Sequence, residues 1–507
     1  MTGVPTYLGI DAGTSVVKAV LLDGTGQALA VHGRELPLQH GSGDQVEQDV
    51  EDVLTGLGEV VREVLRHTSA EGHAAPELVA VTAQGDGCWL VDEEHRPVRP
   101  AVSWLDGRAA GLVDEWTAKG VTEKIYRLNG TTLFPGAPGP VLAWLDRHEP
   151  EVLDRAATAG YCKDVILGRL TGLRATDPTD SSATFGSGSG ETYSDDILRL
   201  CGVDHRRDLL APIEIPAPGA EMHAAGAELT GLAAGTPVVA GPFDFPACAV
   251  GAGVDEPGDG LLIIGTTLGC LVHTDFLETG GDPAGFSVAT GQPGRWLRAM
   301  PAMVGTASMD WMLRTVGLGV DAIEPALAAS PPGAGGVEVL PYFATAGERA
   351  PFVDPHASGQ VTGVRLTTTR DDLVRAVCEG LAFAARHCFE AAGHNGRVVA
   401  CGGGTGSPGW VQIFADVLGT PVQLARTPEV GARGAVLSAL RGRGDDVDSS
   451  SWTAPQAVVE PEPSRAARYD DGYQRYLEHV RVARPMWANR SRSAPSDEPG
   501  LSPAGYL

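Results

Sequence analysis

The chain has 507 residues, 43% of them hydrophobic and 20% charged, with a formal net charge of −26. That length exceeds a single compact core and predicts two or three domains. The acidic balance, with only four lysines (Lys18, Lys119, Lys124 and Lys163), argues against nucleic acid and anionic membranes as partners, since both select basic surfaces. No apolar run approaches the roughly 18 residues that span a bilayer. The opening MTGVPTYLGIDAGTS lacks the basic and apolar regions of a secretory leader, so a cytoplasmic location is the default expectation. The eight cysteines show no CxxC pair, which predicts buried reduced thiols and neither a zinc site nor a disulfide framework.

In chain order, Tyr7–Ile10 reads as an apolar strand, Asp11–Ser15 as a glycine-bearing turn and Val16–Leu22 as a returning strand, together a β-hairpin. A helix is predicted from about Glu47 to His67, with Val50, Val53, Leu54, Leu57, Val60, Val61, Val64 and Leu65 on one face. Leu78–Thr82 is the next strand and ends in Gln84-Gly85-Asp86-Gly87. The stretch Asp177–Ser194, rich in Ser, Thr, Gly and Asp, reads as loop, and Ala211–Gly219 as a proline-rich connector. Pro237–Ala240 is a strand leading into Gly241-Pro242-Phe243-Asp244. Leu261–Ile264 followed by Gly265-Thr266-Thr267 repeats the first hairpin's pattern of apolar run and Gly/Thr turn, which predicts an internal duplication. Asp371–Ala392 is a strong helix, Arg397–Ala400 a strand entering Cys401-Gly402-Gly403-Gly404, and Trp410–Leu418 a helix. A last helix is expected near Arg465–Arg481. Strands and helices alternating in this way imply α/β layers. The expected division is an N-terminal domain over 1–248, a C-terminal domain over 249–485 and a disordered tail over 486–507.

Three glycine-bearing turns therefore follow apolar strands: Asp11-Ala12-Gly13-Thr14, Gly265-Thr266-Thr267 and Gly402-Gly403-Gly404. Glycine admits close backbone approach, and free amides beside Thr hydroxyls suit phosphate oxygens. Neither GxxxxGK[ST] nor GxGxxG is present, so the nucleotide site is of another type. No Ser-His-Asp arrangement with a nucleophile elbow is visible, which argues against hydrolysis through a covalent intermediate.

Turns of this kind in both halves match the plan of the actin-like ATPase superfamily, and within it the chain resembles the FGGY carbohydrate kinases from about residue 7 to residue 440. LGIDAGTSVVKAVLLD is similar to the family's first phosphate hairpin, with Asp11, Thr14 and Lys18 in place. SWLDGRA resembles its Trp-x-Asp-x-Arg segment at the sugar pocket. YCKDVILGRLTG and TDPTDSSAT resemble its Lys-Asp helix and the loop after it. GPFDFPACAVGAG carries the Asp that serves the family as base. GERAPFVDPHASGQVTGV with DDLVRAVCEGLAFAAR is similar to the second signature, although Cys378 replaces a larger apolar residue. CGGGTGSPGWVQIFADVLGTPV resembles the adenosine segment. Two departures stand out. Val141 occupies the place of a Lys three residues before a Trp, and Phe245 follows the base where Asn or Gln is usual.

The resemblance implies two duplicated actin-like (ribonuclease H-like) domains with a catalytic cleft between them, and phosphorylation of a small sugar or polyol by ATP and Mg²⁺. Asp244 is the implied general base and Asp11 the residue that orients a water-coordinated Mg²⁺. Gly13, Thr14, Gly265, Thr266 and Thr267 are expected at the phosphates, and Gly403, Gly404 and Ser407 along the adenosine. Lys18 either reaches the phosphates or is a strand-edge charge. Gln84, Asp86 and Trp104 are expected at the acceptor, with Phe245 an apolar surface beside it and Phe134 a further wall. Asp106 and Arg108 read equally well as a structural ion pair. Gln84–Leu90 resembles the erythritol kinases of the family, with ketopentose kinases for L-xylulose or ribulose as rivals. A non-kinase actin-like ATPase is a third reading, which has no need of the Trp104 and Asp244 segments. Homodimerisation stays open.

Overall fold

The computed structural model describes residues 5–426 and 429–490. Among the described residues the chain forms two compact units: one takes residues 5–253, 275–297 and 429–454, the other 254–274, 298–426 and 455–490. Division therefore differs from a single cut after residue 248, because two later segments return to the first unit. Of the expected tail, residues 486–490 continue the last helix, Ala466–Arg490, and residues 491–507 lie outside the described residues. Among the described residues no helix is long and apolar enough to cross a membrane.

The first unit is built on a sheet of β1 (Thr6–Ala12), β2 (Val16–Asp23), β3 (Ala28–Glu35), β4 (Leu78–Ala83), β5 (Gly219–Glu221) and β6 (Pro237–Ala240), in the order β5-β6-β4-β1-β2-β3. β1 pairs antiparallel with β2 and parallel with β4, and β4 pairs parallel with β6. All six residues of β4 are buried, as a strand covered on both faces requires. Its side chains alternate: Val79 and Val81 pack with Val53, Leu57 and Val61 of α1 (Val50–Ala70) and with Ile166 of α2 (Cys162–Thr171). Leu78 and Ala80 face the opposite cluster. α1 starts at Val50, later than the periodicity alone suggests, because Asp49 caps it by accepting from the Glu51 and Asp52 amides and Val46–Gln48 is a short strand. α3 (Asp244–Ala252) leaves the end of β6. The Ser/Thr-rich stretch after Asp177 is not open loop. Pro178–Ser181 is a short helix, and Thr179, Asp180, Ser181 and Thr184 are buried.

The second unit repeats the pattern. Its strands β7 (Gly260–Ile264), β8 (Leu268–Thr274), β9 (Trp296–Ala302), β10 (Val398–Cys401), β11 (Val422–Leu424) and β12 (Ala457–Val459) run in the order β9-β8-β7-β10-β11-β12. Again a hairpin, β7–β8, is flanked by two parallel strands, β10 and β11. The long buried helix α4 (Arg370–Ala391) packs over it, with Cys378 inside the core. The internal duplication read from the glycine turns is thus present: in both sheets a hairpin lies beside two parallel strands.

After the second unit the chain returns as α5 (Val430–Arg443), whose Ala432, Ala435 and Val436 complete the opposite face of the first sheet. α5 crosses α3 with no room for side chains. A Cβ at Gly434 would sit 1.8 Å from the Ala247 carbonyl oxygen, and one at Gly251 would sit 2.0 Å from that of Val430. Backbone cannot yield as a side chain can. We expect Gly434→Ala to cost about 1–3 kcal/mol or more, measured as a lowered Tm. Gly111→Ala, at a helical position with nothing within 4 Å of its Cβ, should leave Tm unchanged or slightly raised. Equal Tm values for the two variants would reject the tight crossing.

Candidate active site

Three carboxylates come together where the parallel strands of the first unit end. Asp11 lies near the end of β1, Asp86 in the turn after β4, and Asp244 at the first residue of α3 after β6. The carboxyl ends of parallel strands are where open α/β sheets place ligands. Asp86 and Gly87 hold φ angles of 58° and 71°, a left-handed pair that only short polar residues and glycine tolerate well. Strain of this kind re-aims Asp86 at the end of its strand.

The electrostatics follow from crowding. Burial, augmented by the charges of Asp11 and Asp86, raises the Asp244 carboxyl to about 8, although the Phe245 amide partly opposes this. Burial raises Asp11 to about 6, with Lys18 pulling down and Glu429 pushing up. Lys18 stands opposite Asp11 in the hairpin register and 3.9 Å from Glu429. Gly431 of α5 presses on Asp11: a Cβ there would be 2.7 Å from Oδ2. Among the described residues no three His, Cys, Asp or Glu side chains are close enough to cage a metal. The part-buried Asp11 fits a hard cation that keeps most of its waters.

Below this floor lies a buried charge cluster. Lys163 Nζ is 3.1 Å from Asp164 Oδ1, 2.8 Å from Asp177 Oδ2 and 3.0 Å from Asp180 Oδ2. Burial would lower the ammonium, but the three carboxylates override it and hold Lys163 well above its usual value. Burial pushes Asp180 well up despite Lys163. Asp177 Oδ1 also accepts the Thr179 hydroxyl at 2.6 Å, and Thr179 Oγ1 accepts the Phe243 amide at 3.2 Å. The cluster therefore fixes the residue immediately before Asp244.

Several expected contacts are reassigned. Gln84 is 3% exposed: its Oε1 accepts from Thr14 Oγ1 at 3.0 Å and its Nε2 donates to Gln48 Oε1 at 2.8 Å. Its amide is thus engaged in the wall, whereas Asp86, Trp104 and Phe245 keep part of their surface open. The Thr14 hydroxyl is committed to Gln84 and accepts from Trp104 Nε1 at 2.9 Å, and the Gly13 amide is committed to the Val16 carbonyl at 3.0 Å. Asp106 and Arg108 form a buried ion pair at 2.8 Å, with Arg108 also 2.6 Å from Glu47. Val141 is in the core. Phe134 packs against Phe286 at 5.9 Å on the loop that carries Gly136 beneath the Trp104 carbonyl. Gln48 was not singled out in the sequence, and its only signal there was its place just ahead of a capping Asp. All eight cysteines are free thiols.

In the second unit, the Gly265-Thr266-Thr267 turn joins β7 to β8 and is braced by Gly305, whose amide donates to Thr266 O at 2.7 Å. Gly402, with φ 95°, and Gly404 lie against Ile264 at the end of β7, where a Cβ would clash. Gly403 is exposed, with nothing within 4 Å of its Cβ position. The two turns therefore converge at one edge of that unit. The Ser407 hydroxyl is taken by Glu324.

A repeated sheet with acidic residues at its strand ends is the actin-like ATPase fold. The models for the N-terminal and C-terminal domains of the FGGY family of carbohydrate kinases match residues 6–251 and 260–442. Erythritol kinase of Brucella abortus is 34% identical over 518 residues, covering 95% of this chain and 96% of that protein. The probable L-xylulose kinase of Pasteurella multocida is 28% identical, covering 95% and 99%. The solved structure of xylulose kinase from Rhodospirillum rubrum superposes with a TM-score of 0.85 at 29% identity, covering 95% of this chain and all of that one. The chain belongs to the FGGY family of carbohydrate kinases, and it is a phosphotransferase acting on an alcohol group of a small carbohydrate.

The raised Asp244 carboxyl gives a stability test with a definite sign. Its value is about 8 in the folded chain and 3.8 ordinarily, so its favourable contribution is present in acid and is lost as pH rises through 8. Asp244→Asn mimics the protonated form. We expect little change in Tm near pH 4 and a higher Tm than the parent above pH 8. A variant destabilised equally at all pH values would show that the carboxylate is not under strain.

Proposed function

We propose that this kinase transfers the γ-phosphoryl of ATP to a primary hydroxyl of a small sugar alcohol, with erythritol the best candidate and Asp244 the general base. The observation that carries the reading is Asp244 itself, a part-buried carboxylate at the strand ends, flanked by Asp11 and Asp86 and held at about 8. When ionised, a carboxylate so raised is a stronger proton acceptor than an ordinary one, which suits an alcohol acceptor. The hydroxyl proton passes to Asp244 as the acceptor oxygen bonds to phosphorus and the bond from phosphorus to the bridging oxygen of ADP breaks. Such transfers need positioning and charge neutralisation more than covalent help. Asp11 would hold Mg²⁺ through water, which supplies neutralisation of phosphate charge when bound. The turn at Gly13 and Thr14 and the Gly265-Thr266-Thr267 turn are assigned to phosphates, Lys18 to the same charge, and Gly403, Gly404 and the backbone at Ser407 to the adenosine. A cytoplasmic setting accords with these substrates.

For the acceptor, Asp86, Trp104 and Phe245 form the proposed contacts, with Gln84 behind them. Similarity to an erythritol kinase over nearly the whole chain supports an alditol. Phe245, whose ring lies 6.2 Å from that of Phe243, offers apolar surface where a ketose would bring further polar groups, each costing about 1–3 kcal/mol if left unpaired. Similarity to L-xylulose and xylulose kinases favours the second reading, a ketopentose kinase.

Two measurements decide. In a steady-state panel at saturating MgATP, erythritol should give a higher kcat/KM than glycerol, D-xylulose, L-xylulose or L-ribulose, and a ketose better by tenfold or more establishes the second reading. Asp244→Ala should lower kcat at least about 100-fold with KM for ATP nearly unchanged. Near-normal turnover in that variant removes Asp244 from the chemistry.

A further inference from the structure

The first unit contains a closed hydrogen-bond ring that connects the phosphate hairpin to the acceptor wall. Trp104 Nε1 donates to Thr14 Oγ1 at 2.9 Å. The single hydroxyl proton of Thr14 must then go to Gln84 Oε1, at 3.0 Å. Gln84 Nε2 donates to Gln48 Oε1 at 2.8 Å, and Gln48 Nε2 closes the circuit on the Thr14 carbonyl at 2.9 Å. Each donor direction is forced by the one before it. Gln48 and Gln84 are 1% and 3% exposed, so water cannot substitute for a missing partner.

Gln48 also holds the second attachment of the same wall. Its strand, Val46–Gln48, pairs Gln48 with Ala101 and Glu47 with Val102, and the Val46 carbonyl accepts the Ser103 amide at 3.0 Å. The backbone that presents Trp104 and the side chain that fixes its indole thus rest on one short element. Glu47 between them points to Arg108, anchoring that element from its other face.

We infer that Gln48 is a positioning residue: it locks the Trp104 ring against the hairpin tip, so that acceptor binding depends on the shape of the phosphate turn. This rests on the proposed placing of Trp104 at the acceptor. A cation, phosphate or sugar has no direct access to Gln48, so its effect must pass through Thr14 and Gln84.

Gln48→Leu keeps the bulk and removes both bonds. The expected result, with erythritol (or D-xylulose if the panel favours the ketose), is a rise in acceptor KM of about tenfold, with kcat and ATP KM changed by less than about threefold. The decisive arm is a double-mutant cycle. Trp104→Phe keeps a ring but removes the N–H that enters the circuit, so adding Gln48→Leu to it should raise KM little further. A purely structural Gln48 predicts independent, multiplying effects in that cycle, and that outcome overturns the inference. So does an unchanged KM in Gln48→Leu while Trp104→Ala raises it. If Trp104→Ala leaves acceptor KM unchanged, the acceptor wall is wrongly placed and the role of Gln48 falls with it.

Discussion

The first unit's site depends on one buried ammonium. Among the described residues Lys163 is the one cation touching Asp164, Asp177 and Asp180, and all four side chains are almost fully removed from water. Removing one member of such a group leaves uncompensated charge, which is far more costly than the net value of the pairing itself. The arrangement defines structure more than it adds stability. It pins the Pro178–Ser181 turn, and through Thr179 it pins the amide of Phe243. The orientation of α3, and with it Asp244, follows from a lysine that lies outside the set of reacting groups. Four lysines in the whole chain make this placement conspicuous: one of them is spent entirely inside.

Above that anchor, the site holds like charges close together without internal neutralisation. Burial and the charges of Asp11 and Asp86 raise the proton affinity of Asp244, while Asp11 is raised by burial and Glu429, with Lys18 offsetting part of the effect. An arrangement that folding alone would not select is what a site for a metal-bound anion and a hydroxyl acceptor requires. The glycines at 431, 434 and 251 serve the same end by letting α5 and α3 approach until the backbone itself forms the floor.

Much of this was legible in the sequence because the informative residues sit at strand ends. An apolar run that stops at Asp11-Ala12-Gly13, at Gln84-Gly85-Asp86 or at Gly241-Pro242-Phe243-Asp244 announces both a strand and the polar turn that follows. The duplication was legible for the same reason. Hydrogen-bond partners were not. Nothing local to Gln84 says that its amide is consumed by Thr14 and Gln48, 70 and 36 positions away, so it read as a substrate contact. Gln48 was hidden inside an expected helix, since the apolar periodicity of α1 runs smoothly up to its cap. The Ser/Thr-rich segment after Asp177 read as solvated loop because composition does not record that Lys163 buries it. Periodicity also cannot say which compact unit a segment packs into, and so the return of residues 275–297 and 429–454 to the first unit went unseen.

That return bears on how the protein is made. A ribosome releases the chain from its N-terminus, and domains generally fold as they emerge. Here the hairpin carrying Asp11 appears at the very start, whereas α5, which lies against it and fills one face of its sheet, follows only after residue 429. Until then the face formed by Val20, Leu22, Leu78 and Ala80 lacks the cover of Ala432, Ala435 and Val436. The N-terminal sheet cannot bury that apolar surface fully until α5 has been made. A stop codon between α3 and α5 would leave a fragment that keeps Asp11, Asp86 and Asp244 and lacks the floor beneath them.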